Sequence, residues 1–88
     1  MRIKKELILR CVAGDTILIP VGQAAMEHNG LFLLNPVSAR IWQGIEEGLT
    51  QQQILQNLLD EFDAAQEQIR ADLEEFLTRL EQLDILER

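Results

Sequence analysis

The hydrophobic pattern of this chain changes its period part of the way along, and this change constrains the fold more than any other feature. Residues 7–13 and 16–21 are β-branched and aliphatic, and the short turn signal Gly14-Asp15 separates them. Two such runs around a short turn predict an antiparallel hairpin. After Pro36, apolar residues recur at intervals of three and four, which is typical of amphipathic helices. Strands followed by helices indicate an α+β fold.

The turn residues also predict a register for the hairpin. Glycine in the first turn position indicates a type II′ turn, which pairs Ala13 with Thr16, Val12 with Ile17 and Cys11 with Leu18. Alternation places Leu7, Leu9 and Cys11 on one face of the hairpin, and Ile8, Arg10 and Val12 on the other, together with Ile17, Ile19 and Val21. Both faces of the hairpin are therefore largely apolar. Pro20 is expected at a strand end, a bulge or an edge.

A third strand is predicted over residues 31–34, which contain no polar residue. The preceding residues 22–30 are interpreted as a connection that closes with the turn signal Asn29-Gly30. If the third strand is an edge, its outer backbone groups offer a site where an extended peptide can add as a further strand. The alternative, which the sequence leaves open, is a strand buried on both faces within the monomer or in a dimer.

Three helices are predicted from capping residues and apolar stripes. The caps are Asn35 before Pro36, Thr50 with Gln53, and Asp63 with Gln66. The first helix is expected to end at about Glu47, before Gly48, and the third at about Leu83. The seam of the third helix comprises Ile69, Leu73, Phe76, Leu80 and Leu83. Leu77 lies beside this seam, where it either widens the core or lines a groove against the sheet.

These elements predict one domain over residues 1–88, with an α+β, winged-helix-like fold in which a three-stranded antiparallel sheet is followed by three helices. Trp42 is the only tryptophan and lies on the apolar stripe of the first helix, so we expect it in the core. No apolar run is long enough for a membrane span, and Glu6 and Arg10 interrupt any signal-peptide core. We therefore expect a cytoplasmic protein.

The charge distribution argues against a nucleic-acid partner. The net charge is −7, and because residues 1–10 carry +3, the remainder of the chain carries −10. Proteins that bind DNA or RNA gain much of their affinity from basic side chains. The third helix, where a winged helix would place base-reading residues, is acidic instead. A winged-helix DNA-binding regulator and a dimeric structural subunit are nevertheless retained as alternative functions.

The residues needed for catalysis or metal binding are scarce. Cys11 is the only cysteine and His28 the only histidine, so no intrachain disulfide and no cysteine–histidine metal cluster can form. The adjacent carboxylates Glu46-Glu47 and Glu74-Glu75 point about 100° apart on a helix and do not form a catalytic pair. We therefore expect a protein that is not an enzyme and that carries no cofactor.

Several short motifs also follow one another in a specific order and spacing. They are Val-Gly-Gln-Ala-Ala at 21–25, Asn-Gly-Leu at 29–31, Leu34-Asn35, Ile41-Trp42, Glu47-Gly48 with Thr50, and Ile-Arg-Ala-Asp-Leu-Glu-Glu-Phe-Leu at 69–77. Together they resemble the coenzyme PQQ synthesis protein D family, the PqqD-like peptide-recognition domains. The resemblance extends from about Ile3 to Leu86, and it implies a winged helix with three strands and three helices.

The resemblance implies a peptide-binding function. Such domains, known as RiPP recognition elements, bind the leader segment of a ribosomally synthesised precursor peptide and deliver it to a modifying enzyme, commonly a radical S-adenosylmethionine (radical SAM) protein. In the family, the leader lies beside the third strand and against the third helix. Carried onto this chain, the implied peptide-binding residues are Leu31, Phe32, Leu33 and Leu34 on the strand, and Arg70, Leu73, Glu74 and Leu77 on the helix. Arg70 would pair with an acidic leader residue or, alternatively, with Glu74.

Overall fold

A computed structural model of the protein describes residues 1–27 and 32–88. The elements are β1 (Arg2–Ile3), β2 (Leu7–Val12), β3 (Asp15–Pro20), α1 (Gln23–Glu27), β4 (Phe32–Leu34), α2 (Pro36–Glu46), α3 (Gln51–Glu61), α4 (Gln66–Gln82) and β5 (Leu86–Glu87). Strands β2, β3 and β4 form an antiparallel sheet in that order, and β1 pairs with β5 in a separate two-stranded sheet. The predicted α+β fold, with a three-stranded sheet followed by three long helices, is confirmed.

The turn of the β2–β3 hairpin begins one residue earlier than predicted. Ala13 and Gly14 both have positive φ, 53° and 86°, which is the backbone of a type I′ turn. The observed register pairs Val12 with Asp15, Cys11 with Thr16, Arg10 with Ile17 and Leu9 with Leu18. The predicted pairs Ala13–Thr16, Val12–Ile17 and Cys11–Leu18 are therefore wrong. The observed register differs from the predicted one by two positions. Because side chains alternate with a period of two, each paired side chain still lies on the predicted face.

The segment between β3 and β4 was predicted as a connection, but its described part contains the short helix α1. The side chain of Ala24 in this helix is buried. Pro20 is the last residue of β3, as expected, and Val21 therefore lies beyond the strand rather than on its outer face. The predicted turn at Asn29-Gly30 lies outside the described residues.

Side-chain caps start the first two long helices where the sequence predicts them. The Ser38 backbone N–H donates to Asn35 Oδ1 over 2.8 Å at the start of α2. At the start of α3, the Gln53 N–H donates to Thr50 Oγ1 over 3.1 Å, and the Thr50 N–H donates to Gln53 Oε1 over 2.9 Å. The end of α2 also agrees with the prediction, since Glu47 is its C-cap. These boundaries depend on neighbouring residues alone, which explains why the sequence predicts them well.

The predicted capping box at the start of α4 is wrong. The N-cap of this helix is Ala65, which makes no side-chain capping bond, so Asp63 lies two residues too early to cap it. The chain is extended at Phe62 and at Ala65, which lengthens the connection between α3 and α4. The C-terminal end is as predicted, because Leu83 is the C-cap.

The core lies between the inner face of the sheet and the three long helices. Its fully buried side chains are Leu18, Ile41, Trp42, Ile54, Leu58, Ile69, Leu77 and Ile85. The expected burial of Trp42 is therefore confirmed. Helices α2 and α3 approach closely at Gly44, where an added Cβ would lie 2.8 Å from Ile54 Cγ1.

The ends of the chain are joined by the β1–β5 pair, which the sequence did not predict. The Lys4 backbone N–H donates to the Ile85 carbonyl oxygen over 2.7 Å, and the Lys4 ammonium donates to the Asp84 carboxylate. This bond lowers the pKa of Asp84. Because Ile85 and Leu86 are buried, the tail of the chain completes the core.

Candidate functional site

Strand β4 is an edge of the three-stranded sheet. Its residues Phe32, Leu33 and Leu34 pair with Leu18, Ile17 and Thr16 of β3, and no strand in residues 1–27 and 32–88 pairs with its other side. All three of its side chains are apolar. Natural edge strands are commonly protected by charged side chains or proline, and β4 has neither. Within the monomer, β4 is therefore an edge strand and is not buried on both faces, since Leu33 is exposed, whereas burial in a dimer stays a prediction.

The side chains of β4 alternate between the two faces of the sheet. Phe32 is half-buried and Leu34 is buried, and both lie on the core side with Leu18. Leu33 points to the opposite face, where 69% of its surface is exposed. Leu31, the fourth strand residue implied by the family resemblance, lies outside the described residues.

A cleft separates the β4–α2 junction from helix α4 and has a volume of about 180 Å³. It is lined by Leu33, Leu34, Asn35, Ser38, Asp72, Glu75, Phe76 and Arg79. The buried side chains of Leu34 and Phe76 supply its apolar surface, whereas Glu75 and Arg79 are exposed. A shallower depression shares Leu33, Leu34 and Asn35 and continues the surface toward the β2–β3 turn. An extended chain beside β4 would therefore border both depressions.

The helix residues implied by the family resemblance do not line this cleft. Leu77 is 0% exposed and belongs to the core, and Leu73 is 2% exposed. Arg70, Leu73 and Glu74 border a different depression, between α4 and Gln51, Gln52 and Leu55 of α3. Leu77 therefore widens the core, which is the first of the two alternatives left open by the sequence, and the assignment of Arg70, Leu73 and Glu74 to peptide binding stays a prediction. Of the predicted residues that the structure describes, Leu33 and Leu34 alone line the cleft.

The position of these helix residues away from the cleft has a geometric reason. At about 100° per residue, Arg70, Glu74 and Leu77 lie on one flank of the α4 seam, and Asp72, Glu75 and Arg79 lie on the other. A seam at helical spacing shows which stripe of a helix is buried. It does not show which flank faces the sheet and which faces a neighbouring helix. Phe76 lies on the sheet side of the seam and lines the cleft. Of the α4 residues that line the cleft, it is the one that the sequence marks, through its place in the apolar seam.

Glu74 is held by Arg88 rather than by Arg70. The Arg88 Nη1 and Nη2 atoms donate to Glu74 Oε2 and Oε1, each over 2.9 Å, and Arg88 Nε donates to Glu81 Oε1 over 2.7 Å. The Arg88 hydrogen bonds hold the pKa of Glu74 below its ordinary value of 4.5. The alternative pairing of Arg70 with Glu74 is therefore wrong, and this network ties the end of the chain to α4.

The Arg88 network should make the stability of the fold depend on pH. A carboxylate whose pKa is lowered by folding stabilises the folded state above its ordinary pKa, here 4.5, and this contribution is lost as the pH falls through the lower folded-state pKa. Thermal melts between about pH 3 and 7 should show Arg88→Gln melting a few degrees below wild type at neutral pH, with the difference closing in acid. Arg70→Gln should follow the wild-type curve. Parallel curves for wild type and Arg88→Gln would contradict this assignment.

Five of the eight residues that line the cleft are polar, and three of these, Asp72, Glu75 and Arg79, are charged. The Gln68 Nε2 atom donates to Asp72 Oδ1 over 2.8 Å. Within the described ranges, no group of three or more histidine, cysteine, aspartate or glutamate residues is placed to hold a metal ion. No helix in the same part of the chain is long and apolar enough to cross a membrane. The cleft is concave, has an apolar base and carries charged side chains at its border, features that suit it to binding another molecule.

Comparison with known proteins identifies the family. Two solved structures share the fold. TbiB1 in complex with the TbiA(β) leader peptide is 24% identical, with a TM-score of 0.74 over 99% of this chain and 95% of that one. The lasso peptide synthetase B1 complexed with the leader peptide is 18% identical, with a TM-score of 0.69 over 92% and 89%. No curated protein matches the sequence. The family model for coenzyme PQQ synthesis protein D (PqqD) matches residues 17–86, and the chain therefore belongs to the PqqD family.

Proposed function

We propose that this protein binds the leader segment of a ribosomally synthesised precursor peptide as an added strand along β4 and holds it for a modifying enzyme. The observation that carries the proposal is the unprotected apolar edge beside a cleft. Membership of the PqqD family supports it, as do the two similar structures, whose proteins were solved with leader peptides. The protein contributes binding, and the partner enzyme contributes the chemistry.

The binding mode follows from the geometry of the edge. Backbone hydrogen bonds to an edge strand supply affinity for almost any extended sequence, while pockets for alternate side chains select the partner. Peptide residues opposite Phe32 and Leu34 would direct their side chains to the cleft side of the sheet, toward Phe76. Glu75 and Arg79 are exposed on the helix side and are available to charged residues of the peptide.

The other partners belong to the same proposal. The modifying enzyme is of the radical SAM class on the strength of the family resemblance, and the complex forms in the cytoplasm, where precursor peptides are made. A homodimer that pairs two β4 edges would occupy the same site, and sizing of the purified protein distinguishes it. A DNA-binding role has no support from the similar proteins, and the net charge of −7 opposes it.

Strand addition can be tested with peptides that tile the N-terminal halves of short reading frames next to this gene. We expect one peptide to shift the backbone amide resonances of Leu33, Leu34 and Arg79 in labelled protein. N-methylation of alternate amides in that peptide should weaken binding by about tenfold or more, because these amides donate to β4. Methylation of the intervening amides should be tolerated.

Arg70→Ala is the matched control, since Arg70 lies on the flank of α4 away from the cleft. Its affinity for the peptide should equal that of wild type. Resonance shifts confined to Arg70, Leu73 and Glu74, without the alternating effect of N-methylation, would instead place the binding surface between α3 and α4 and contradict the proposal.

A further inference from the structure

The face of the sheet opposite the core carries further apolar side chains, and of these only Leu33 also borders the cleft. Across its middle, Arg10, Ile17 and Leu33 lie in one row. Ile8 is 37% exposed in the neighbouring row, where it pairs with half-buried Ile19, and Leu33 is 69% exposed at the β4 edge. We call the surface formed by Ile8, Ile17, Ile19 and Leu33 the outer face. An exposed leucine beside the apolar Ile17 is an uncommon choice for an edge strand that is never covered.

A strand added beside β4 would extend these rows by one residue. Directly paired residues of neighbouring strands point to the same face, with Cβ atoms about 4.5–5.5 Å apart. The peptide residue opposite Leu33 would therefore direct its side chain to the outer face, while the residues before and after it face the cleft. Because β4 has three residues, one outward position of the peptide would lie directly against it.

We propose that the outer face is a second specificity surface for the bound peptide, and that the peptide residue opposite Leu33 is apolar. This inference rests on the proposed strand addition at β4. An apolar side chain at that position removes the exposed surface of Leu33 from water, whereas a charged one leaves it uncovered. The segment is then recognised on both faces of the extended sheet, by Phe76 on one side and by Leu33 on the other.

Charge argues for the peptide, rather than a second copy of this chain, as the occupant of the outer face. Face-to-face packing of two copies would bring Arg10, at the β2 end of the row it shares with Ile17 and Leu33, against another apolar sheet. It would also bring together two chains that each carry a net charge of −7. A single peptide side chain beside Leu33 covers the exposed leucine without burying Arg10, which lies two strands away.

The test uses peptides of about ten residues selected from a random-sequence display library on the wild-type protein. Titration calorimetry should show that Leu33→Thr binds the selected peptide roughly three- to tenfold more weakly, because threonine keeps the strand preference but loses the leucine contact. Replacing the outward apolar residue of the peptide with lysine should weaken binding to wild type by a similar factor. When Leu33→Thr is titrated with the lysine-substituted peptide, the loss of affinity should be smaller than the product of the two separate losses, because both changes remove the same contact.

Val12→Thr is the matched control. Val12 is 54% exposed on the same side of the sheet but lies on β2, at the opposite edge, so its substitution should leave the affinity unchanged. The melting temperature of Leu33→Thr should stay close to that of wild type, and the lysine-substituted peptide tests the same contact with an unaltered protein.

The outcomes separate this inference from the proposed function. If the selected peptides shift the Leu34 and Arg79 amides but bind Leu33→Thr as tightly as wild type, the inference is overturned and strand addition stands. Fully independent losses in the combined experiment would overturn it as well. If no peptide perturbs β4, strand addition itself fails.

Discussion

Replacing Leu77 with glutamate should prevent the domain from folding. Leu77 is 0% exposed within the core, so an ionised carboxylate there would have no solvent and no partner. We expect a loss of about 4 kcal/mol or more, a large share of the stability that a domain of this size has. Far-ultraviolet circular dichroism and thermal melts should show no cooperative transition.

Two control variants make this experiment specific. Leu77→Met conserves volume and should cost less than about 1.5 kcal/mol. Arg79→Glu places a carboxylate on the exposed flank of the same helix and should fold. A cooperative Leu77→Glu melt near the wild-type temperature would contradict the buried position and would return Leu77 to the candidate binding surface. Because its main effect is on folding, this variant does not test peptide binding.

Trp42→Ala should cost about 3–5 kcal/mol and leave the protein largely unfolded or marginally stable. The indole is 0% exposed, and alanine would leave a cavity in the centre of the core. Urea denaturation followed by circular dichroism measures the loss, since this variant has no tryptophan to report by fluorescence. A denaturation midpoint equal to that of wild type would show that the indole is not part of the core.

Trp42→Phe separates the volume of the indole from its polar atom. Trp42 Nε1 is buried and has no hydrogen-bond partner among the described residues. Phenylalanine removes this unsatisfied donor, which offsets part of the lost volume, so Trp42→Phe should lie within about 1.5 kcal/mol of wild type. A loss as large as that of Trp42→Ala would instead indicate that the indole N–H is hydrogen-bonded.

The candidate site shows where sequence reasoning about function succeeds and where it ends. The apolar residues of β4 are visible in the sequence, and so is the possibility of an open edge. The α4 side of the cleft is not, because Asp72, Glu75 and Arg79 resemble any solvated flank of an amphipathic helix. Only the position of α4 against β4 distinguishes them from Arg70 and Glu74 on the other flank.

Features of the fold that depend on near neighbours along the chain follow from the sequence. The starts of α2 and α3 follow from Asn35 and from Thr50 with Gln53, and the buried stripe of α4 follows from its spacing. The hairpin turn is equally local, yet Gly14 fits either central turn position, and the two choices differ by two positions in register. The predicted faces of the strands are nevertheless correct, because side chains alternate with a period of two.

Tertiary structure alone decided the contacts between distant parts of the chain. β1 and β5 are two-residue strands whose partners, such as Arg2 and Glu87, lie at opposite ends of the sequence. Neither strand has enough residues for a periodic pattern, and each gains backbone bonds only when the other is present. Contacts between distant elements also explain why Leu77 is buried and why Phe76 faces β4. A helix pattern determines which residues leave water, whereas the packing of neighbouring elements determines what those residues contact.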